Sequence, residues 1–412
     1  MASVAAGVPQ PAGGVQNSAP LPSRAVARAF SIEDLRRLAR RRLPRGVFDL
    51  FDGGAEDEAT LRDNRAAFER VRLMPKVLVD VSQVDTGTTL LGAPSAMPIA
   101  IAPTGAVGFG WRGGDCLIAR AAQAYGLPYS LSTSGTASIE RIAEAAPNTR
   151  RWFQAYILKQ REFTMRLVER AQRAGYEGLM ITVDLAVGGK RERDYRNDFA
   201  IPFRFTPRNV FDCAQRPTWA FDMLLRGMPV MENLVGITPT ATDTRGIAST
   251  VGRNYDPSFD WSALREVRDA WGGKLIVKGI VRPDDAIRAA ELGADAVIVS
   301  NHGGRQLDGG VATLDALPGV VAAVGQRVEV YVDGGVRRGV DVVKALALGA
   351  RAVLIGRPTL YGVCAGGEAG ALRALEILRS EFVRAMQLCG VTSVAQIGPD
   401  LLAAPAALRV SG

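Results

Sequence analysis

From about residue 98 to residue 358 one unit recurs along the chain: a short apolar run, a polar or glycine-rich turn, an amphipathic helix, and a glycine just before the next run. The runs cover 98–105, 129–133, 151–156, 178–184, 275–279, 296–303, 328–335 and 352–358, eight in all. Strands that alternate with helices predict a parallel sheet. Gly126, Gly175, Gly293 and Gly349 each stand where a helix must stop and turn back into a strand. Eight such units favour a closed (β/α)8 TIM barrel, an α/β fold, over an open doubly wound sheet with its smaller number of strands.

The rest of the chain is arranged around that repeat. Residues 31–402 read as a single barrel domain, with 403–412 as a C-terminal tail. Residues 1–30 are rich in Ala, Gly, Pro and Ser and hold no acid, the pattern of a disordered tail more than of an arginine-rich transit peptide. Ser31 with Asp34 forms a cap for a helix striped by Ile32, Leu35 and Leu38 and stopped by Pro44. Arg36, Arg37, Arg40, Arg41 and Arg42 on that helix read as a solvated face. Residues 185–274 make one connection far longer than the ordinary strand-to-helix loop. It reads as an active-site cover with a short helix at 219–226, in preference to a membrane attachment.

Composition removes several classes of function. The net charge is +8, from 50 basic against 42 acidic residues, an excess suited to an anionic substrate or cofactor and too modest to argue for nucleic acid. The cysteines Cys116, Cys213, Cys364 and Cys389 are far apart, and the chain has 1 histidine, so no metal site is expected and the thiols read as reduced. No apolar stretch reaches the roughly 18 residues of a transmembrane helix. A cytoplasmic location follows, with a peripheral place at an inner membrane as the alternative.

In a barrel of this kind the reactive groups sit at the C-terminal strand ends and in the loops after them. The candidates are Pro103, Thr104 and Gly105; Ser132 and Thr133; Gln154 and Tyr156; Thr182 and Asp184; Lys278; Ser300 to Arg305; Asp333, Gly334, Gly335 and Arg337; and Gly356 with Arg357. A scaffold barrel needs only packing and turn residues there, so a rim this rich in charge and hydrogen-bonding groups points to a site. The glycines and arginines after the seventh and eighth runs suit a phosphate. A lone histidine is more often structural than catalytic. His302, however, ends a strand beside two glycines, Asp184 ends another, and Arg305 is built for bidentate grip on a carboxylate. Lys278 fits either a Schiff-base amine or a fixed charge beside an anion.

The motifs Gly53-Gly54-Ala55-Glu56-Asp57, Ser300 to Asp308, Asp333 to Gly339 and Lys344 to Ala350 resemble, in order and from about Phe30 to Leu402, the FMN-dependent 2-hydroxy acid oxidases and dehydrogenases. This family includes glycolate oxidase, flavin L-lactate dehydrogenase and (S)-mandelate dehydrogenase. The resemblance implies FMN as cofactor and a small-molecule 2-hydroxy acid as substrate. Oxygen, a quinone or a redox protein would be the electron acceptor, and the assembly a homo-oligomer, often a tetramer. It implies His302 as the base with Asp184 as its partner, Arg305 and Arg191 as the carboxylate clamp, Tyr156 as a substrate contact, and Lys278 beside the flavin ring. Lys190 and Arg193 flank Arg191. Pro103, Thr104, Gly105, Ser132, Gln154, Thr182 and Ser300 would hold the ring and ribityl groups, and Asp333, Gly334, Gly335, Arg337, Gly356 and Arg357 the ribityl chain and phosphate. Three positions bear on the substrate: Leu50 stands where glycolate oxidase and mandelate dehydrogenase both carry a substrate-binding tyrosine, Ser134 where glycolate oxidase has a bulky tryptophan, and Gly105 where the oxidases typically have an alanine. Gly105 and the run Arg191 to Asp194 with Asn197 resemble the mandelate enzyme. The expected substrate is therefore bulky and aromatic, like mandelate. The alternatives are a tailoring oxidase of a hydroxylated natural product or peptide, and a non-catalytic flavin-binding paralogue.

Overall fold

The computed structural model describes residues 21–197, 206–236 and 254–403. The eight apolar runs form eight parallel strands: β1 (Ile99–Thr104), β2 (Tyr129–Ser132), β3 (Arg151–Ala155), β4 (Gly178–Thr182), β5 (Lys274–Ile280), β6 (Ala296–Val299), β7 (Glu329–Val332) and β8 (Ala352–Ile355). β8 closes onto β1, with Val353 opposite Ile99 and Ile355 opposite Ile101, so the sheet is a complete barrel.

The alternation of side chains along each strand explains both the core and the site. Outward residues such as Ile101, Leu131, Phe153, Leu179, Val277, Val297, Val330 and Val353 pack in the large cluster shared with the helices. Inward residues form a separate apolar cluster, including Ala100, Trp152, Met180, Ile276, Ile298, Tyr331 and Leu354, closed by Leu90 and Leu91 from an antiparallel hairpin (Thr88–Leu90 with Ala93–Ser95). Trp152 and Tyr331 stack there, with centroids 6.0 Å apart and planes 9° apart. Two residues further along, the same inward parity gives Gln154, Thr182, Lys278, Ser300, Asp333 and Gly356. The barrel is therefore apolar at mid-height and polar at its C-terminal end, as its layered interior requires.

The N-terminal helices lie against that end. Ser31 caps the helix Ile32–Arg42 by accepting from Asp34 N at 3.1 Å, while Asp34 accepts from Ser31 Oγ and Phe30 N. Ile32, Leu35 and Ala39 are buried and Leu38 is half-buried. The arginine face is not wholly solvated: Arg36 reaches both oxygens of Asp52, and Arg42 lies 4.1 Å over the Trp111 ring. Order also begins earlier than residue 31, because Ser23 caps a turn of helix (Arg24–Ala27) whose Val26 is buried against Gly366. Of the expected tails at 1–30 and 403–412, residues 1–20 and 404–412 lie outside the described residues. Pro44 stops one helix and opens the next, Arg45–Asp52, which carries Leu50.

The long connection is part cavity lining and part barrel. Its expected helix is present as Pro217–Arg226, preceded by Pro207–Ala214. Trp261–Ala270, assigned from sequence to the insertion, is instead the barrel helix between β4 and β5: Asp260 caps it through Ala263 N at 3.0 Å, and Leu264 and Val267 are buried in the helix-to-strand core.

Candidate active site

The loop after β6 is held in an uncommon conformation. His302, Gly303 and Gly304 have φ of 59°, 65° and 73°, three consecutive left-handed residues of which only the glycines adopt that region without strain. The turn is pinned from several sides. His302 N donates to Ser300 Oγ at 3.1 Å, Gly304 N to Asn301 Oδ1 at 3.1 Å, and Ala55 N to Gly304 O at 2.9 Å. Asp308, at the end of the same motif, accepts from Ala59 N and Thr60 N and so fixes the start of the helix Ala59–Arg70.

His302 Nδ1 lies 2.9 Å from Asp184 Oδ1, and Nε2 lies 3.3 Å from the Tyr156 hydroxyl. Burial alone would raise the Asp184 carboxyl, but His302 and Lys278 outweigh it and hold the group below its ordinary value. An ionised carboxylate only accepts, so the network assigns the proton to Nδ1 and leaves Nε2 as the acceptor. Burial foremost, aided by Lys278 and Arg305 and opposed by Asp184, keeps His302 below its ordinary 6.5. The imidazole is thus neutral near pH 7, with an unprotonated Nε2, the state required of a general base. Burial and Asp184 push the Tyr156 phenol up, so it remains a donor.

Two cations share this space. Arg305 NH1 donates to Gly53 O at 2.8 Å, and no ion pair joins it to a carboxylate among the described residues. Burial, then Arg191 and Arg357, push it down to about 9, which still leaves it protonated at neutral pH. A half-buried cation short of counter-charge at a cavity wall is a receptor for an anion. Arg191 Nε donates to Asp194 at 2.8 Å and faces the same cavity, whereas Arg193 is engaged by Asp49, Asp52 and Glu58. The three neighbouring cations are therefore not equivalent.

These groups line one cavity of about 830 Å³. The polar crown fits a flavin. Gln154 Nε2, Thr182 Oγ1 and Asp333 Oδ1 are buried without a hydrogen-bond partner among the described residues, an arrangement that proteins avoid unless a ligand supplies the partner. Lys278 Nζ donates to Ser300 Oγ at 2.9 Å and lies 3.3 Å from Asp333 Oδ2. Burial would lower this amine, but Asp333 and Asp184 raise it further, so it is a fixed positive charge. That favours the fixed-charge reading over the Schiff base. At the other end Gly335, Arg337, Gly356 and Arg357 line the cavity where the helix Arg357–Leu388 begins. Cations at a helix N-terminus suit a phosphate. A Cβ on Gly335 would lie 2.2 Å from Asn64 O, so the backbone approaches closely only with glycine. Arg357 also donates to Phe51 O, Gly303 O and Gly53 O, bracing the N-terminal motif against the histidine loop.

Most of the expected site residues line this cavity: Leu50, Pro103, Thr104, Gly105, Ser134, Gln154, Tyr156, Thr182, Arg191, Lys278, His302, Arg305, Asp333, Gly334, Gly335, Arg337, Gly356 and Arg357. Ser132, Asp184 and Ser300 stand behind the wall. Ser132 holds Gln154 through Oε1 at 3.0 Å, and Ser300 holds both Lys278 and the His302 backbone. Sequence reasoning missed Tyr195, Thr206, Met231 and Tyr255, which the long connection contributes to the lining. That segment has no periodicity from which to find them. It also missed Asn64, whose amide pairs with Asn301 at 2.8 Å and 2.9 Å.

A closed parallel barrel that presents a carboxylate-backed imidazole, an arginine with no ion pair among the described residues and a crown of polar groups suited to a flavin defines a flavoprotein oxidoreductase. The chain belongs to the FMN-dependent dehydrogenase family, whose model matches residues 39–404. It is 45% identical over 376 residues to the L-lactate dehydrogenase of Caulobacter vibrioides, across 90% of this chain and 97% of that protein. It is 43% identical over 373 residues to the (S)-mandelate dehydrogenase of Pseudomonas putida, across 90% and 93%. Among solved structures, that of the monotopic membrane protein (S)-mandelate dehydrogenase matches with a TM-score of 0.87 and 42% identity over 91% of this chain and 99% of that one. The protein is an FMN-dependent enzyme that oxidises a 2-hydroxy acid.

Proposed function

We propose that the substrate is a 2-hydroxy acid with a bulky aromatic side chain, of the mandelate type, and that His302 is the base. The observation that carries the side chain is the set of small or apolar residues in the cavity lining, Leu50, Gly105, Ala106, Ser134 and Met231, with Gly105 set directly against Ser134. Likeness to both lactate and mandelate dehydrogenases supports the reaction class and leaves the choice of side chain to this wall. Arg305 and Arg191 hold the carboxylate, and Tyr156 donates to the substrate oxygen. FMN, when bound by the polar crown, supplies the two-electron acceptor. His302 Nε2 takes a proton as the alcohol becomes a ketone, and Asp184 stabilises the imidazolium through Nδ1–H. Lys278 keeps a positive charge beside the flavin site throughout. Anaerobic mixing with (S)-mandelate, L-lactate and glycolate tests the size argument: mandelate should bleach the flavin fastest, and faster bleaching by glycolate refutes it. Bleaching by none of the three, with flavin bound, would favour a larger hydroxylated natural product or peptide.

The cover also supports a place at a membrane surface. Phe211, Phe221, Leu224 and Leu225 are exposed on the helices Pro207–Ala214 and Pro217–Arg226, while Trp219 and Met223 of the second helix are buried against the body. Arg226 is exposed at its end. Exposed apolar side chains along two successive helices suit an interfacial segment, and no helix among the described residues is long and apolar enough to cross a membrane. A lipid-soluble quinone is the acceptor that this placement favours. Vesicles of anionic phospholipid should carry the protein in flotation, and L224E/L225E should release it. Equal flotation of the two proteins contradicts the reading.

A further inference from the structure

Leu50 offers no hydrogen bond to a substrate, yet the cavity contains a second phenol besides Tyr156. Tyr255 comes from the end of the long connection, and its place is set by backbone: Leu158 and Tyr255 form an antiparallel bridge, Lys159 N donates to Asn254 O at 2.8 Å, and Asp256 N to Ile157 O at 3.0 Å. The segment is thereby zipped to the loop that carries Tyr156, and the two rings lie 5.1 Å apart at 52°. Tyr255 lines the cavity, and its hydroxyl makes no hydrogen bond to another described residue. Tyr255 is half-buried, and a ligand in the cavity can reach its hydroxyl. Burial foremost, then Tyr156, keeps it a donor, and Arg191, Asp184 and Arg305 of the proposed clamp and base also bear on it.

We infer that Tyr255 is a substrate-binding residue whose hydroxyl donates a hydrogen bond to the substrate carboxylate held by Arg191 and Arg305. The inference rests on the carboxylate-clamp reading above. It places part of the specificity in the long connection, which thereby contacts substrate directly, and it supplies from that side the phenol contact that Leu50 does not supply from the N-terminal helix.

The test uses the FMN holoenzyme and reads binding from the perturbation of the flavin spectrum, with benzoylformate and its methyl ester as probes. Tyr255→Phe keeps the ring on Tyr156 and removes the hydroxyl. It should raise the Kd for benzoylformate about tenfold, the usual worth of a hydrogen bond to a charged group, and leave the Kd for the ester and the melting temperature unchanged. Tyr255→Leu should weaken both probes, since it removes ring packing as well. An unchanged Kd for the acid in Tyr255→Phe, or an equal loss for acid and ester, overturns the inference. Arg305→Lys separates the underlying reading: if it leaves acid binding intact the clamp itself fails, whereas a large loss there with none in Tyr255→Phe sinks only the role of Tyr255.

Discussion

His302→Ala is expected to keep its FMN and to lose flavin reduction by several orders of magnitude, somewhat more than the roughly 10²–10⁴-fold typical of removing a general base. The reason is the absence of a substitute. The chain contains 1 histidine. Tyr156 is held protonated by burial and Asp184, and once His302 is gone Lys278 still acts against protonation of Asp184. Neither is basic enough near pH 7 to take over. FMN should remain because the groups that fit it, Gln154, Thr182, Lys278 and the glycines and arginines after β7 and β8, are separate from the imidazole. Rapid mixing under argon gives the rate, and the visible spectrum gives the flavin content. Reduction within tenfold of the wild type would remove His302 as the base.

Lys278→Met is expected to damage stability as well as chemistry. Lys278 and Asp333 are both buried and lie 3.3 Å apart, so removing the amine leaves a carboxylate out of water without its counter-charge, a change that costs about 3–5 kcal/mol. The variant should unfold at lower urea than the wild type and purify with little FMN. Lys278→Met combined with Asp333→Asn removes both charges and should recover much of the stability without restoring flavin reduction. If the single variant is as stable as the wild type, the pair is not the electrostatic unit described here; if the double variant reduces flavin normally, the fixed charge has no catalytic part.

The barrel and the crown were legible because both follow from short-period patterns. Eight apolar runs gave eight strands, and the two-residue alternation that buries Trp152, Met180 and Ile276 also turns Gln154, Thr182 and Lys278 inward at the rim. The pairing of His302 with Asp184, 118 residues apart, was open to inference because each stands at a strand end. What stayed hidden depends on contacts between irregular segments. Tyr255 enters the cavity through a backbone bridge to Leu158, and Val26 packs against Gly366 far along the chain; neither leaves a periodic trace. The helix Trp261–Ala270 was absorbed into the insertion because the connection before it is so long. The Arg191 and Arg193 pair is the sharpest case. The two residues are alike in type and nearly adjacent, and only the acids around Arg193 separate a structural cation from one that faces the cavity.

The central claim is that a neutral, half-buried imidazole at His302 takes the proton in 2-hydroxy acid oxidation. Its most direct test is the pH dependence of flavin bleaching by (S)-mandelate under anaerobic conditions, across the range in which histidine titrates. The base works only when unprotonated, so the rate should be full above the pKa of His302 and fall as pH drops through it. Because burial sets that pKa below 6.5, the acid limb should have its midpoint below 6.5 in kcat/KM and be missing from the residual activity of His302→Ala. A midpoint well above 6.5, or the same acid limb in both proteins, would contradict the account.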